Sequence, residues 1–77
     1  MSVRDKMREI TAKMIEIPIS KIHDHSEFKN DLGMDSLEVV ELCMEFDVEF
    51  DIVLNDKDIE NIRTFSDAVD VVTAKVV

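Results

Sequence analysis

Residues 35–50 read Asp-Ser-Leu-Glu-Val-Val-Glu-Leu-Cys-Met-Glu-Phe-Asp-Val-Glu-Phe, and this stretch decides the fold because it predicts a long amphipathic helix. Asp35 and Glu38 have the spacing of a capping box, so the helix is expected over Ser36–Phe50. One broad face of that helix collects apolar side chains and is expected to pack against the rest of the chain. These side chains are Val39, Leu42, Cys43, Phe46 and Phe50.

The opposite side of the same helix carries a second apolar row, called the outer strip below. It consists of Leu37, Val40, Met44 and Val48, and the carboxylates Glu38, Glu41, Glu45 and Glu49 lie beside it. A helix at the edge of a small bundle cannot bury both sides, so the outer strip is expected to face solvent as a transient docking surface. The alternative is that helix packing wraps further round and buries this row as well.

Three more helices are expected, one before this helix and two after it. They are predicted over Val3–Ile17, Asp56–Ile62 and Phe65–Val76, with caps at Ser2, Asn55 and Thr64. Pro18 is expected to end the first helix, because proline disfavours helical geometry in the residue before it. The predicted fold class is therefore all-α: a four-helix bundle with a long first loop and a short third helix.

The first loop, residues 18–35, has no sustained period, and its length indicates a functional segment. Its apolar members are expected to hold it on the core: Ile19, Ile22, Phe28 and Leu32. The loop also holds His23 and His25, which are expected to be solvated because no third ligand is evident, with a shared metal ion as the alternative.

Size and charge exclude several classes of function. The 77 residues predict a single domain spanning 1–77, and 18 acidic against 9 basic residues give a net charge of −9. An acidic surface repels nucleic acid and anionic membranes, so neither is an expected partner. A single Cys excludes an internal disulfide and a Cys-based zinc cluster. Without an apolar signal core, a cytoplasmic protein is expected. We also expect it to be a monomer.

The negative charge is concentrated in one part of the chain. Residues 30–60 hold eleven acidic side chains and one basic side chain, whereas the other segments together are close to neutral. Such a patch steers partners that carry basic surfaces and speeds their encounter with the protein.

Residues 31–37, Asp-Leu-Gly-Met-Asp-Ser-Leu, resemble the D-L-G-x-D-S-L signature of acyl carrier proteins, and the similarity extends over nearly the whole chain. The resemblance implies that Ser36 carries 4′-phosphopantetheine, donated from coenzyme A by a phosphopantetheinyl transferase, with Asp35 assisting the loading. The terminal thiol would hold acyl chains as thioesters for synthase, reductase, dehydratase and transferase enzymes. It also implies a partner-binding face at Leu37, Glu38, Glu41 and Met44. The outer strip and its carboxylates add Val40, Glu45 and Val48 to the expected face.

The position of Ser36 supports this independently. A phosphodiester at a helix start is stabilised by unpaired N–H groups and the helix dipole, and Gly33 allows a close turn before it. Neither His is placed by local spacing beside Ser36, so a catalytic triad is not expected and the protein is interpreted as a carrier rather than an enzyme. Ordinary core packing is the alternative role for the candidate acyl-chain pocket, which comprises Phe28, Val39, Phe46, Ile62 and Ala68.

Other functions and pathways remain open at this point. An unmodified acidic helical adaptor, or a protein that binds divalent cations, would have the same charge. Residues 47–58 also fit the spacing of a calcium loop, but Ile52 occupies the position that requires Gly. Asp51 stands where the family often has Gly, and Leu54-Asn55-Asp56 replaces a frequent Ile-Pro-Asp. These differences leave fatty-acid, specialised lipid and polyketide pathways possible.

Overall fold

The fold was derived from a computed structural model, which describes residues 2–76. Its α-helices are α1 (Val3–Ile15), α2 (Ser36–Phe50), α3 (Asp56–Glu60) and α4 (Phe65–Lys75), with a short 3₁₀ helix at Ile19–Lys21. The described residues contain no strand, although Glu27 and Thr64 form an isolated bridge. The predicted four-helix bundle with a long first loop and a short third helix is confirmed.

The helices begin where the capping residues predicted. The Asp5 N–H donates to Ser2 Oγ at 3.0 Å at the start of α1. Complete capping boxes begin the other three α-helices, at Asp35, Asn55 and Thr64. Each box satisfies two N–H groups that would otherwise lack a partner at a helix end.

The C-terminal end of α1 corrects one prediction. The helix ends at Ile15 rather than Ile17, because Glu16 adopts a left-handed conformation with φ 56°. The Ile17 N–H then donates to the Ala12 carbonyl at 3.1 Å, which closes the helix end. Pro18 therefore follows a helix that has already ended.

Two further helices also end earlier than predicted. α3 ends at Glu60 rather than Ile62, and α4 ends at Lys75 rather than Val76. Ile62 and Val76 still pack on the core. The apolar period of the sequence therefore continues past the helix ends, because a residue outside a helix can also pack on the core.

The core joins α1, α2, α4 and the first loop. Met7, Phe46 and Phe65 are fully buried, and Phe28 brings the loop into the same cluster. The rings of Phe28 and Phe65 lie 6.5 Å apart in a tilted arrangement, which is favourable for aromatic pairs. The loop is thereby held on the inner face of the bundle.

The apolar anchors of the first loop differ in part from the prediction. Ile22 and Phe28 are buried and Leu32 packs against the core, as expected. The prediction for Ile19 is wrong: it begins the 3₁₀ helix and is 47% exposed. Met34 is buried instead, which the sequence did not indicate.

One arginine ties α1 to the loop. Arg8 donates from Nε to the Ile22 carbonyl at 3.1 Å and from a terminal nitrogen to Asp24 at 2.8 Å. Its guanidinium also lies 5.1 Å from the centre of the Phe65 ring, within the range of a cation–π contact. Among residues 2–76, no helix combines the length and the apolar composition that crossing a membrane requires.

Candidate functional site

The site is built around the start of α2. Ser36 is the first residue of this helix and its side chain is exposed. Asp35 accepts the Glu38 N–H at 2.8 Å, and Glu38 in turn accepts the Asp35 N–H at 3.1 Å. The Asp35 carboxylate is thus engaged in holding the helix end, and it fixes the backbone from which Ser36 projects.

The turn before Ser36 depends on Gly33 and Met34. Gly33 has φ 68°, a left-handed conformation, while a Cβ there would meet nothing within 4 Å. The requirement for glycine is therefore conformational rather than steric. Met34 is buried and its N–H donates to the Phe28 carbonyl at 2.9 Å. With Met34 held inside, the chain leaves the core and presents Ser36 to solvent.

A basic side chain contacts the Ser36 hydroxyl directly. Lys29 Nζ donates to Ser36 Oγ at 2.9 Å. Sequence reasoning missed this residue, because it lies seven positions earlier in a loop without a period. An ammonium, the first-turn N–H groups and the positive end of the α2 dipole all favour an anion at this oxygen, so the residues present fit a phosphodiester.

Lys29 also lines a cavity of about 390 Å³ between the first loop, α2 and the segment after α3. Three of the predicted pocket residues line it together: Phe28, Val39 and Ile62. The other two, Phe46 and Ala68, lie fully buried in the core and do not line this cavity. The rest of the lining is polar or charged, and consists of Glu27, Asn30, Glu60 and Arg63.

The two faces of α2 have the exposures that the sequence predicted. Leu37, Val40, Met44 and Val48 of the outer strip are exposed by 67, 38, 59 and 83%. Val39, Leu42, Cys43 and Phe46 of the opposite face are buried. Packing does not wrap round the helix, so the alternative of a buried outer strip is wrong. Val53, in the loop after α2, is also exposed and was not predicted.

The acidic side chains beside the outer strip are not equivalent. Glu38 belongs to the capping box, and Glu49 lies 3.9 Å from Lys6 of α1. Glu41 and Glu45 are exposed and, within residues 2–76, take part in no ion pair. These two carboxylates are therefore available to a basic partner.

The calcium-loop interpretation does not match the local structure. Asp47 and Glu49 lie on α2 rather than in a loop, and Asp47 accepts the Leu54 N–H at 3.0 Å. Asp58, which would be the last ligand, caps α3 and pairs with Lys75 at 3.0 Å. A helix over the first positions cannot wrap round an ion as a calcium loop does.

Neither the histidines nor the cysteine form a reactive centre in the described residues. His23 and His25 are exposed and stack with ring centres 5.7 Å apart. Across residues 2–76, no three His, Cys, Asp or Glu side chains are grouped as metal ligands. Burial, with a smaller contribution from Asp47, raises the pKa of Cys43 to about 11. Its thiol stays protonated at neutral pH, as expected for a small buried apolar residue.

Comparisons with known proteins converge on one family. Residues 5–72 match the family described as "Phosphopantetheine attachment site". A solved structure of a candidate acyl carrier protein from Mycobacterium tuberculosis has a TM-score of 0.88 and 26% sequence identity, with 95% of this chain and 97% of that chain covered. The apo doublet acyl carrier protein from prodigiosin biosynthesis has a TM-score of 0.82 and 23% identity. The match covers 96% of this chain and 36% of that longer one.

Proposed function

The chain belongs to the phosphopantetheine-attachment family of acyl carrier proteins, and from that premise we propose that Ser36 is the residue that carries its 4′-phosphopantetheine. The observation that supports this most strongly is the exposed Ser36 hydroxyl at the first position of α2, with Lys29 Nζ at 2.9 Å. The surrounding cation and helix dipole stabilise a phosphodiester at that oxygen.

Loading would use the Ser36 oxygen as the nucleophile toward coenzyme A. A bond forms between Ser36 Oγ and phosphorus while the pyrophosphate bond of coenzyme A breaks and releases the nucleotide. The hydroxyl proton leaves to a base of the phosphopantetheinyl transferase. Because Lys29 donates to the oxygen, the hydroxyl hydrogen of Ser36 is not used in this contact and remains available to that base.

The loaded protein would act as a carrier rather than a catalyst. The thiol at the end of the arm holds acyl groups as thioesters, and the flexible arm keeps them at high local concentration near a docked enzyme. This chain supplies the attachment point, a docking face and a cavity. We propose that residues 1–77 work as one carrier domain, as a monomer in the cytoplasm.

Acyl carrier proteins work with synthases and other biosynthetic enzymes. For this chain we propose partners of fatty-acid or related lipid and polyketide synthesis, including synthase, reductase, dehydratase and transferase enzymes. The proposed docking face combines the outer strip with Glu38, Glu41 and Glu45. A small apolar contact with a charged rim favours fast and weak binding to basic surfaces, which a carrier that must be released requires.

The cavity next to Lys29 is the proposed shelter for the acyl chain. Phe28, Val39 and Ile62 supply its apolar lining. Phe46 and Ala68 can meet an acyl chain only if the core opens, because both are fully buried.

Loading followed by intact-mass measurement distinguishes the carrier from an unmodified acidic adaptor. Purified apo protein is incubated with coenzyme A, Mg²⁺ and a transferase of broad specificity. We expect one added phosphopantetheinyl group on the wild type and on Ser20→Ala, which removes another exposed serine hydroxyl. Ser36→Ala should gain nothing while keeping its helical circular dichroism. Equal loading of Ser36→Ala, or a folded wild type that stays unmodified, would contradict the assignment.

A further inference from the structure

We propose that Lys29 positions the prosthetic arm, because its ammonium pairs with the phosphodiester oxygens once Ser36 is loaded. The hydrogen bond of 2.9 Å from Lys29 Nζ to Ser36 Oγ places the cation at the atom that becomes part of the phosphodiester. This role rests on the proposed attachment at Ser36 and extends it to a residue of the first loop.

Lys29 shares the lack of an ion pair with Lys13, Lys21 and Lys57 within residues 2–76, but its contact with the Ser36 hydroxyl sets it apart from them. Lys6 and Lys75 each lie within 4 Å of a carboxylate, at 3.9 and 3.0 Å. Across residues 2–76, Lys29 forms no such pair, and its ammonium donates to a neutral hydroxyl. Hydrogen bonds between an ammonium and an anionic oxygen are stronger than those to a neutral one. Loading therefore supplies Lys29 with the counter-ion that it lacks.

The local charges also favour a cation at this position. Asp35 precedes Ser36 directly, and Glu38 closes the capping box from the first turn of α2. A phosphodiester on Ser36 would add a negative charge beside these two carboxylates, and neighbouring like charges repel each other. Lys29 offsets that repulsion from the side of the first loop, where its Nζ contacts the attachment oxygen.

The loop holds Lys29 in place through its neighbours. Phe28 is buried, its N–H donates to the Arg63 carbonyl at 3.1 Å, and its carbonyl accepts the Met34 N–H at 2.9 Å. The backbone next to Lys29 is thus fixed on both sides of the turn that leads to Ser36. Lys29 also lines the cavity with Val39 and Ile62, so the proposed ion pair would form beside that cavity.

The test compares loaded and unloaded forms of Lys29→Gln, Lys29→Arg and a control, Lys21→Gln. Lys21 is an exposed lysine of the 3₁₀ helix, so the control makes the same change of charge elsewhere on the surface. Intact mass verifies loading, and thermal unfolding then gives the difference in Tm between loaded and unloaded protein. The ³¹P spectrum of the loaded form reports the phosphodiester directly, without any acyl-transfer reaction.

We expect Lys29→Gln to make the loaded-minus-unloaded Tm difference less favourable by roughly 1–8 °C, which is the range for an exposed ion pair in a domain of this size. Lys21→Gln should match the wild type, and Lys29→Arg should restore most of the difference. The wild-type ³¹P resonance should move with added NaCl, since salt screens an exposed pair. The resonance of Lys29→Gln should start displaced and move less.

Equal Tm differences and equal ³¹P resonances in the wild type, Lys29→Gln and Lys21→Gln would overturn the role of Lys29. A Lys29→Gln protein that only loads more slowly, with an unchanged ³¹P resonance, would overturn it too, because Lys29 would then serve transferase recognition. Absence of loading on every variant, the wild type included, would instead contradict the proposed attachment at Ser36.

Discussion

The two faces of α2 carry similar apolar side chains and have opposite environments. Leu42 is 1% exposed, whereas Leu37 on the same helix is 67% exposed. Complete burial of a leucine stabilises a protein by about 1.5–3 kcal/mol relative to exposure, so only the inner face contributes strongly to folding. Hydrophobicity alone does not tell which face is buried. The position of the carboxylates around the helix does, because they accompany the outer strip.

The carboxylates also make an exposed apolar strip tolerable. Two copies of this chain would bring Glu41 and Glu45 of each copy together if their outer strips met, and both side chains are exposed. Like charges repel, and the net charge of −9 opposes self-association more generally. A partner with basic side chains meets the same strip without that repulsion. We therefore expect the inner face to determine stability and propose that the outer face selects partners.

The largest expected effect follows from truncating the inner face. Phe46→Ala should lower the free energy of unfolding by about 3–5 kcal/mol, because it opens a cavity where a fully buried ring packs. A domain of this size has only about 4–10 kcal/mol of stability, so much of the sample should unfold in mild urea. Urea titration followed by circular dichroism measures the change.

Met44→Ala is the matched truncation on the outer strip, where the side chain is 59% exposed. Its effect on the free energy of unfolding should stay within about 0.5 kcal/mol. If Met44→Ala destabilised the protein as much as Phe46→Ala does, the division of α2 into a structural and a docking face would be wrong.

A smaller effect on stability is expected from the cap at the N-terminus of α2, where both faces begin. Asp35→Ala removes the acceptor for the Glu38 N–H and should cost about 1 kcal/mol of unfolding free energy. Asp35→Asn keeps a side-chain oxygen and should cost much less. Chemical denaturation of the unloaded proteins measures both. An Asp35→Ala variant as stable as the wild type would mean that the capping box does not hold this helix end.

A charge reversal on the outer face should separate docking from stability. Glu41→Lys is expected to change the free energy of unfolding by no more than about 0.5 kcal/mol. It should slow acyl transfer to a partner enzyme with a basic docking surface by roughly three- to tenfold at low salt, and less at high salt. The same reversal at Asp70, an exposed residue of α4, is the control and should leave transfer nearly unchanged. Equal slowing by both variants would attribute the effect to net charge rather than to the strip.

The smallest expected effect is on the pH dependence of stability. It concerns α4, whose capping carboxylate lies outside both faces of α2. Hydrogen bonds from backbone N–H groups, chiefly that of Thr64, hold the pKa of Asp67 below its ordinary value of 3.8. A carboxylate with a lowered pKa stabilises the folded state above its ordinary pKa, and this contribution is lost as the pH falls through the folded value. The stability difference between the wild type and Asp67→Asn should therefore shrink below about pH 4. Urea titrations of both proteins from about pH 6 to pH 2 measure it, and a difference that grows on acidification would be the contrary result.

The sequence predicted helix starts better than helix ends. Asp35, Asn55 and Thr64 each act through a neighbour three positions along, which is a local and readable signal. Ile17 and Ile62 misled the prediction of the ends, because both pack on the core from outside a helix. Residues in the correct period need not be helical when the chain turns back over the core.

The contact between Lys29 and Ser36 could not be predicted from the sequence near either residue. It depends on the burial of Phe28 and Met34, which folds the loop so that residues seven positions apart meet. Ile19 and Ile22 show the same limit: both are isoleucines of one loop, yet only Ile22 is buried. Positions in a loop without a period are set by the whole fold rather than by their neighbours.

Localisation of the added group tests most directly whether the exposed end of α2 carries the arm. The wild-type protein, loaded with coenzyme A and a transferase while folded, is digested and its peptides are fragmented in a mass spectrometer. We expect a single phosphopantetheinyl group, on the oxygen of Ser36. A group found on any other side chain, or a folded protein whose Ser36 peptide remains unmodified, would contradict it.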